Sequence, residues 1–252
     1  MNWLRELCNG ALDLVFAPVC VTCKRPVSPD EPERLICRVC WTRTRPIPAP
    51  RCSRCSDPVP PDREPDPRCT ACRDFPPALR VVRSACVMEE PVREMIHALK
   101  YAGWTAVAGP LARRMAALPL PADVSEEARR VVAVPTSRLR LRERGYNQAA
   151  LLAEAFAART GRDYTPDVLL RTRATETQTT LHPDERRANV AGAFAPAAGV
   201  SLAGEHVLLV DDVWTTGATA LACADALFSA RARAVSVLTF ARALPGLDRP
   251  SP

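Results

Sequence analysis

Val207-Leu208-Leu209-Val210-Asp211-Asp212-Val213-Trp214-Thr215-Thr216-Gly217-Ala218-Thr219 is the stretch on which the fold turns. Its first four residues show no polar alternation, the pattern of a strand buried on both faces, as in a parallel sheet. Two acids then emerge at the carboxyl end, where open α/β sheets bind ligands. A loop of threonine and glycine follows, and residues 218–228 have helical character. The opening turn of a helix offers backbone N–H groups and the positive end of a dipole, which together favour an anion. Gly217 permits close backbone approach, and the three threonines add hydroxyl donors. Paired carboxylates would repel a phosphate, but they suit vicinal hydroxyls of a sugar, directly or through a bound magnesium ion.

These residues resemble the phosphoribosyl pyrophosphate (PRPP) signature of type I phosphoribosyltransferases, with every position filled. The resemblance implies that Asp211 and Asp212 hold the ribose hydroxyls and act as the catalytic pair. It implies that Thr215, Thr216, Gly217, Ala218 and Thr219 wrap the 5-phosphate. Trp214 is bulkier than the aliphatic residue often found there. Two roles are open to it, packing on the core or stacking near the ligand.

Eleven cysteines are present, and eight of them are regular. Cys20-x2-Cys23 precedes Cys37-x2-Cys40, and Cys52-x2-Cys55 precedes Cys69-x2-Cys72, with thirteen residues inside each set. A shift of 32 positions carries the first set onto the second, so the segment is an internal duplication. Each C-x2-C turn aims two thiolates at one metal, and two turns complete a tetrahedral four-cysteine zinc site. Four protein ligands leave no open position, so such a site is structural. Prolines abound and large apolar side chains are few across residues 17–80, so metal is expected to fold this region. Disulfides fit a small secreted domain better, and no secretion signal is readable. One or two zinc ions are expected. Cys8, Cys86 and Cys223 stand alone and read as small buried side chains. Arg38, Arg43, Arg45, Arg51, Arg54 and Trp41 are available to nucleic acid, but acids are nearly as numerous in the segment, which favours structural or protein-contact use.

Beyond Pro76 and Pro77 the pattern alternates strand and helix. A strand spans 81–88. Glu89-Glu90-Pro91 opens a helix with Val92, Met95, Ile96 and Leu99 on one face, closed by Gly103. A second helix covers 105–117, and 118–125 reads as a proline-containing loop. Arg130 to Val134 is a short buried strand. It delivers Thr136, Ser137 and Arg138 to the same sheet edge as the acids, a candidate pyrophosphate loop supplying cations and N–H donors. Arg138, Arg140, Arg142 and Arg144 alternate, so an extended loop would point them one way. A helix over 147–160 ends at Gly161. Residues 171–194 form a long polar segment, suited to a lid, with Gln178, Arg186 and Asn189 as candidates to fold over substrate. A last strand spans 234–240.

Several segments taken in order are similar to the ComF competence-protein family. They are the cysteine module, IHALKYAG (96–103), VAVPTSRLRLRERGYNQAALLA (132–153), TQTTLHPDERRANVAGAF (177–194) and the acid strand with its loop. RGYNQ is the most diagnostic, because phosphoribosyltransferases in general lack it. The fold so implied is a type I phosphoribosyltransferase domain over 79–243, preceded by an amphipathic helix and double zinc ribbon over 1–78 and followed by a loose tail over 244–252. The resemblance implies a PRPP-binding protein that uses Mg2+ and supports DNA uptake, with single-stranded DNA and a DNA-uptake helicase as partners. Three functions compete. An enzyme would release pyrophosphate as an acceptor attacks the anomeric carbon. A binding module would sense PRPP or hold single-stranded DNA without turnover. A PRPP-responsive regulator is the third, and no helix-turn-helix supports it.

The composition sets outer bounds. The net charge is +6, carried almost wholly by arginine, with Lys24 and Lys100 the only lysines. That excess is compatible with phosphate or nucleic acid but specific for neither. No apolar run approaches the roughly 20 residues that span a bilayer. Charged residues interrupt the apolar positions of residues 1–16, so a cytoplasmic protein is expected.

Overall fold

The computed structural model describes residues 18–28, 30–31, 33–60, 69–173, 190 and 192–244. Its centre is a five-stranded parallel sheet, built from β1 (Leu79–Val87), β2 (Arg130–Ala133), β3 (Asp163–Tyr164), β6 (His206–Trp214) and β7 (Ala234–Arg242). The spatial order is β1-β7-β6-β2-β3, and every pairing is parallel. A short antiparallel pair, β4 (Leu169–Arg171) with β5 (Phe194–Pro196), lies outside that sheet.

Helices cover both faces, and the alternation of each strand decides what they meet. Val207 and Leu209 of β6 face one buried cluster, while Leu208 and Val210 face the other. The Leu208 cluster holds α2 (Val92–Tyr101), α3 (Ala108–Ala116) and α6 (Gln148–Thr160). The Val207 cluster holds α7 (Ala218–Ser229) and the β4–β5 pair. Val92, Met95, Ile96 and Leu99 are all buried, as their 3.6-residue spacing predicts. Residues 122–127, expected in part as loop, form a short helix α4 (Ala122–Glu127) that buries Val124.

The cysteine segments fold as two copies of one turn. In the first, Cys20 N–H donates to the Arg25 carbonyl, Lys24 to Cys20 and Val27 to Pro18, at 2.8, 2.9 and 2.8 Å. Thirty-two positions on, Cys52 donates to Asp57, Ser56 to Cys52 and Val59 to Pro50, at 2.8, 2.9 and 2.9 Å. Lys24 and Ser56 share the same left-handed φ of 61°. The two copies then part company. The first packs into the cluster with α2 and α3, the second into the cluster with α7, so one ribbon seals each face of the sheet. Trp41, within α1 (Arg38–Thr42), is buried edge-on against Phe240 at 6.5 Å and is not presented to a partner.

The ribbons also cover the sheet's outer edge. Val82 N–H donates to the Arg54 carbonyl and Val87 N–H to the Arg45 carbonyl, both at 2.8 Å. An uncovered edge of that kind is a template for pairing with another chain. Arg54 further caps the carbonyls of Cys72, Phe75, Pro76 and Leu79. That explains why an arginine in this segment serves the fold rather than a phosphate.

Candidate functional site

β2 runs on to β3 on one side of the sheet, while β6 runs on to β7 on the other. The crevice between β2 and β6 is therefore the topological switch point, where open α/β sheets take ligands at their carboxyl ends. β2 stops at Ala133, paired with Val210. β6 continues four residues further along β7 only, with Asp211 opposite Thr239 and Trp214 opposite Arg242. The acids thus lie inside the last turn of pairing rather than after it, and they face the space β2 has vacated. A cleft of about 640 Å3 opens there, within the ~300–1,000 Å3 range of small-ligand sites.

The cleft is lined by Asp211, Asp212, Thr215, Gly217, Ala218 and Thr219 from the β6–α7 junction, and by Pro135 and Thr136 from the end of β2. Thr216 does not line it. Its hydroxyl instead accepts from Ala218 N–H at 3.4 Å, shaping the turn. Gly217 caps α7 with φ of 80°, a left-handed conformation that favours glycine. Ser137 and Arg138 also lie off the cleft wall. Ser137 is the N-cap of α5 (Arg138–Arg144), its hydroxyl accepting from Arg140 N–H at 3.2 Å. The four alternating arginines are therefore helical, not extended. At 100° per residue, positions two apart point to opposite sides, so they do not converge on one anion. Gln178, Arg186 and Asn189 lie outside the described residues.

Three cations on the cleft wall were not singled out by sequence: Arg93, Lys100 and Arg171. With two acids against them, the described wall carries one excess positive charge if all ionise, which suits a polyanion. Lys100 forms an ion pair with Asp212. Burial raises the carboxyl of Asp212, but the Lys100 ammonium and the bonds from Lys100 and Gln148 outweigh it and hold it below the ordinary range. Burial opposes the charge of Lys100 too, and Asp212 with Asp211 more than restores it. Asp211 accepts a hydrogen bond from the Asp212 N–H at 2.8 Å but forms no ion pair of its own among the described residues. Burial and the adjacent Asp212 carboxylate push it well above the usual carboxylate range.

The RGYNQ element locks this arrangement, and its Asn147 and Gln148 line the cleft themselves. Arg144 stacks over Tyr101 at 4.6 Å and donates to Gln148 at 2.9 Å. Gly145 ends α5 in the left-handed conformation. Tyr146 donates its hydroxyl proton to the Leu99 carbonyl at 2.6 Å, one residue before Lys100. Asn147 caps α6 and donates to the Val134 carbonyl at 3.0 Å. Gln148 reaches Asp212 at 3.4 Å. Five consecutive residues therefore tie the end of β2, the helix carrying Lys100 and the acid pair together.

The two cysteine sets form two separate clusters, Cys20, Cys23, Cys37, Cys40 and Cys52, Cys55, Cys69, Cys72, with ligand atoms within 4.8 Å of one another. Sγ–Sγ distances are 3.7 and 3.8 Å in the first and 3.4 to 3.7 Å in the second. A tetrahedral ion with ~2.3 Å metal–sulfur bonds sets its ligands about 3.8 Å apart, whereas a disulfide needs about 2.05 Å. Burial raises Cys20, but N–H donors from Cys23, Cys37 and Thr22 outweigh it and hold the thiol down to about 6. Cys52 is likewise held down to about 7. The donor set fits structural zinc. Cys86 and Cys223 are buried apart from both clusters.

A parallel sheet with helices on both faces, an acid-pair strand at its switch point and two cysteine-rich ribbons define an open α/β protein with an N-terminal double zinc ribbon. Residues 11–73 match the double zinc ribbon domain family. The chain is 30% identical over 248 residues to the DNA utilization protein YhgH of Escherichia coli strain K12, covering 94% of this chain and 96% of that protein. It is 36% identical over 90 residues to Competence protein F of Haemophilus influenzae, 35% of this chain and 39% of that one. The chain belongs to the ComF/YhgH family of DNA utilization and competence proteins. Among solved structures it is similar to TT1426 from Thermus thermophilus, at 16% identity, over 58% of this chain and 86% of that one, with a TM-score of 0.33. No helix among the described residues is long and apolar enough to cross a membrane.

Proposed function

We propose that the cleft binds PRPP and that the protein is a phosphoribosyltransferase-type enzyme serving DNA utilization. The observation that carries this reading is the meeting, at one switch point, of the acid pair, the Thr215–Thr219 loop at the start of α7 and the Thr136 loop after β2. Asp211 and Asp212 take the ribose hydroxyls. The loop and the opening turn of α7 take the 5-phosphate. Thr136 and the backbone beside it, with Arg93 or Arg171, take the pyrophosphate. Mg2+ suits one or two carboxylates plus substrate oxygens; the half-buried Asp211 is the open carboxylate, and the ion would neutralise charge on the departing pyrophosphate. The protein's own contribution is orientation: Lys100 and Gln148 fix Asp212, so the sugar is held with little rearrangement as positive charge grows at its anomeric carbon.

Calorimetry with PRPP and magnesium tests the site. Asp211→Asn with Asp212→Asn is expected to abolish binding, and unchanged affinity overturns the assignment. Incubation with PRPP, magnesium and a panel of bases or oligonucleotides, followed for pyrophosphate, tests turnover.

A second reading, a single-strand-binding module without turnover, is supported by a different observation. Tyr101 and Trp104 are exposed, and Arg144 lies over Tyr101. Aromatic faces beside arginine suit stacked bases. Its marks are DNA affinity that falls steeply with salt and no pyrophosphate release.

A further inference from the structure

Trp214 is the bulky residue at a position where its family signature favours an aliphatic one, and it is 3% exposed. Its indole sits where a side chain at Gly217 would project, so a Cβ there would overlap the ring. Two further contacts bear on the ring, one from the second zinc ribbon and one from β7. Phe75 packs on it at 5.9 Å between centroids, tilted by 59°. The Phe75 N–H in turn donates to the carbonyl of the ligand Cys72 at 3.2 Å. Arg242 lies over the same indole at 5.6 Å. Its guanidinium donates to the carbonyl of the ligand Cys55 at 2.8 Å and to Asp57 at 2.7 Å. Two of the four cysteines of the second cluster thus hold, through one aromatic and one arginine, the side chain that underlies the loop glycine. The first ribbon makes no such connection among the described residues. Its aromatic, Trp41, meets Phe240 on the opposite face.

We propose that Trp214 is a positioning residue for the Thr215–Thr219 loop, and that the second zinc ribbon, through Phe75 and Arg242, is the abutment that keeps it in place. The loop has left-handed backbone at Gly217 and takes part in no strand, so its shape depends on what lies beneath it. A pre-shaped loop binds an anion without paying the ordering cost at the moment of binding. The duplicated ribbons consequently differ in task. Both seal the sheet, while only the second sets the ligand loop. The step from loop order to ligand affinity rests on the PRPP reading above; the coupling between ribbon and loop does not.

The test uses the full chain with both zinc ions bound. Amide hydrogen exchange is followed at residues 215–220 without ligand, and PRPP affinity is measured by calorimetry. Phe75→Ala, with two zinc ions per chain retained by metal analysis, is expected to speed exchange of these amides by about tenfold while the core strands keep their protection. PRPP affinity should fall by a similar factor, on the order of tenfold, and Phe75→Tyr should restore both. Trp41→Leu, the matching lesion in the first ribbon, should leave the loop amides unchanged. The proposal is overturned if Phe75→Ala leaves loop exchange at the wild-type rate, or if Trp41→Leu loosens the loop equally. Cys72→Ser, which removes a ligand of the second ion, should loosen the loop at least as much as Phe75→Ala. Should that variant not fold, the Phe75 series decides alone. If the wild-type protein binds no PRPP while Phe75→Ala still loosens the loop, the ligand assignment falls and the coupling stands.

Discussion

Lys100, near the end of the helix after the first strand, is ion-paired with Asp212, the second acid of β6. Their side chains are 22% and 5% exposed, so the pair is shielded from water. Removing one member of a buried pair leaves the other charge without compensation, at about 3–5 kcal/mol. Lys100→Met should therefore destabilise the fold by about 3 kcal/mol at neutral pH, towards the low end because Asp212 can take up a proton. The pH dependence has a definite sign. Asp212 has a folded value below the ordinary 3.8, so its contribution is in full force above that pH and is lost as pH falls through the folded value. Denaturant titrations of wild type and Lys100→Met should differ most at pH 7 and converge in acid. Asp212→Asn placed in the Lys100→Met background should recover part of the loss.

Asp211 carries the opposite imbalance. Its folded value lies well above 3.8, so the folded state holds a proton that the unfolded chain has released. Stability drains away as pH rises from about 3.8 towards the folded value. Asp211→Asn removes this penalty. The variant should be more stable than wild type by on the order of 1 kcal/mol near pH 7, with the gain shrinking as pH falls towards 4. The same variant should lose PRPP binding. A drop in melting temperature at pH 7 would contradict this account of the acid pair.

How much of this was legible in the sequence depends on the range of the interaction. The acid strand, the helical face of Val92 to Leu99 and the 32-residue duplication are local or periodic, and local patterning carries them. The helix over Arg138–Arg144 was missed because its signal is a single N-cap serine without an acid three residues on, while the alternating Arg-Leu pattern imitates an extended chain. Lys100 was missed for another reason, since its partner lies 112 positions away and no spacing links them. A signal was present nonetheless. Arginine replaces lysine almost everywhere in this chain, yet two lysines remain. Lys24 donates to the Val21 carbonyl within its turn at 2.6 Å, and Lys100 pairs with Asp212. A compact ammonium fits such places where a planar guanidinium fork does not. The sequence leaves Trp214 two roles, and the structure supports both: the ring is buried beneath the loop glycine and also lines the cleft.

At the other end of β6, His206 is buried, with Nε2 2.9 Å from the Ser236 hydroxyl and Nδ1 3.8 Å from Glu127. Burial and the Arg233 guanidinium lower its proton affinity, against Asp123 and Glu127. Its folded value lies below the ordinary 6.5, so the unfolded chain binds the proton first. Stability is complete above that pH and declines as pH falls below it towards the folded value. His206→Gln keeps a partner for Ser236 and has no proton to gain. Between pH 7.5 and 5.5 its denaturation midpoint should shift less than that of wild type. An equal shift would place the acid sensitivity elsewhere.

The ribbons make metal content a solubility property. Their backbone carbonyls at Arg45 and Arg54 occupy the outward N–H groups of Val87 and Val82 on the edge strand β1. Eight thiols gathered into two clusters have only weak contacts with one another without an ion, in a segment with few large apolar side chains to hold it. Stripping zinc with a chelator should therefore open the cysteine turns to proteolysis and bare the edge of β1. Bared edges pair with one another, so light scattering should report association that grows with protein concentration. Zinc added before association should return the starting scattering signal and the protease resistance. Arg54→Ala tests the same edge with metal present. Arg54 caps four carbonyls around the second ribbon, and its loss should cost about 2–3 kcal/mol. If the zinc-free chain kept its scattering and its resistance unchanged, the edge would be guarded by something other than the metal-held turns.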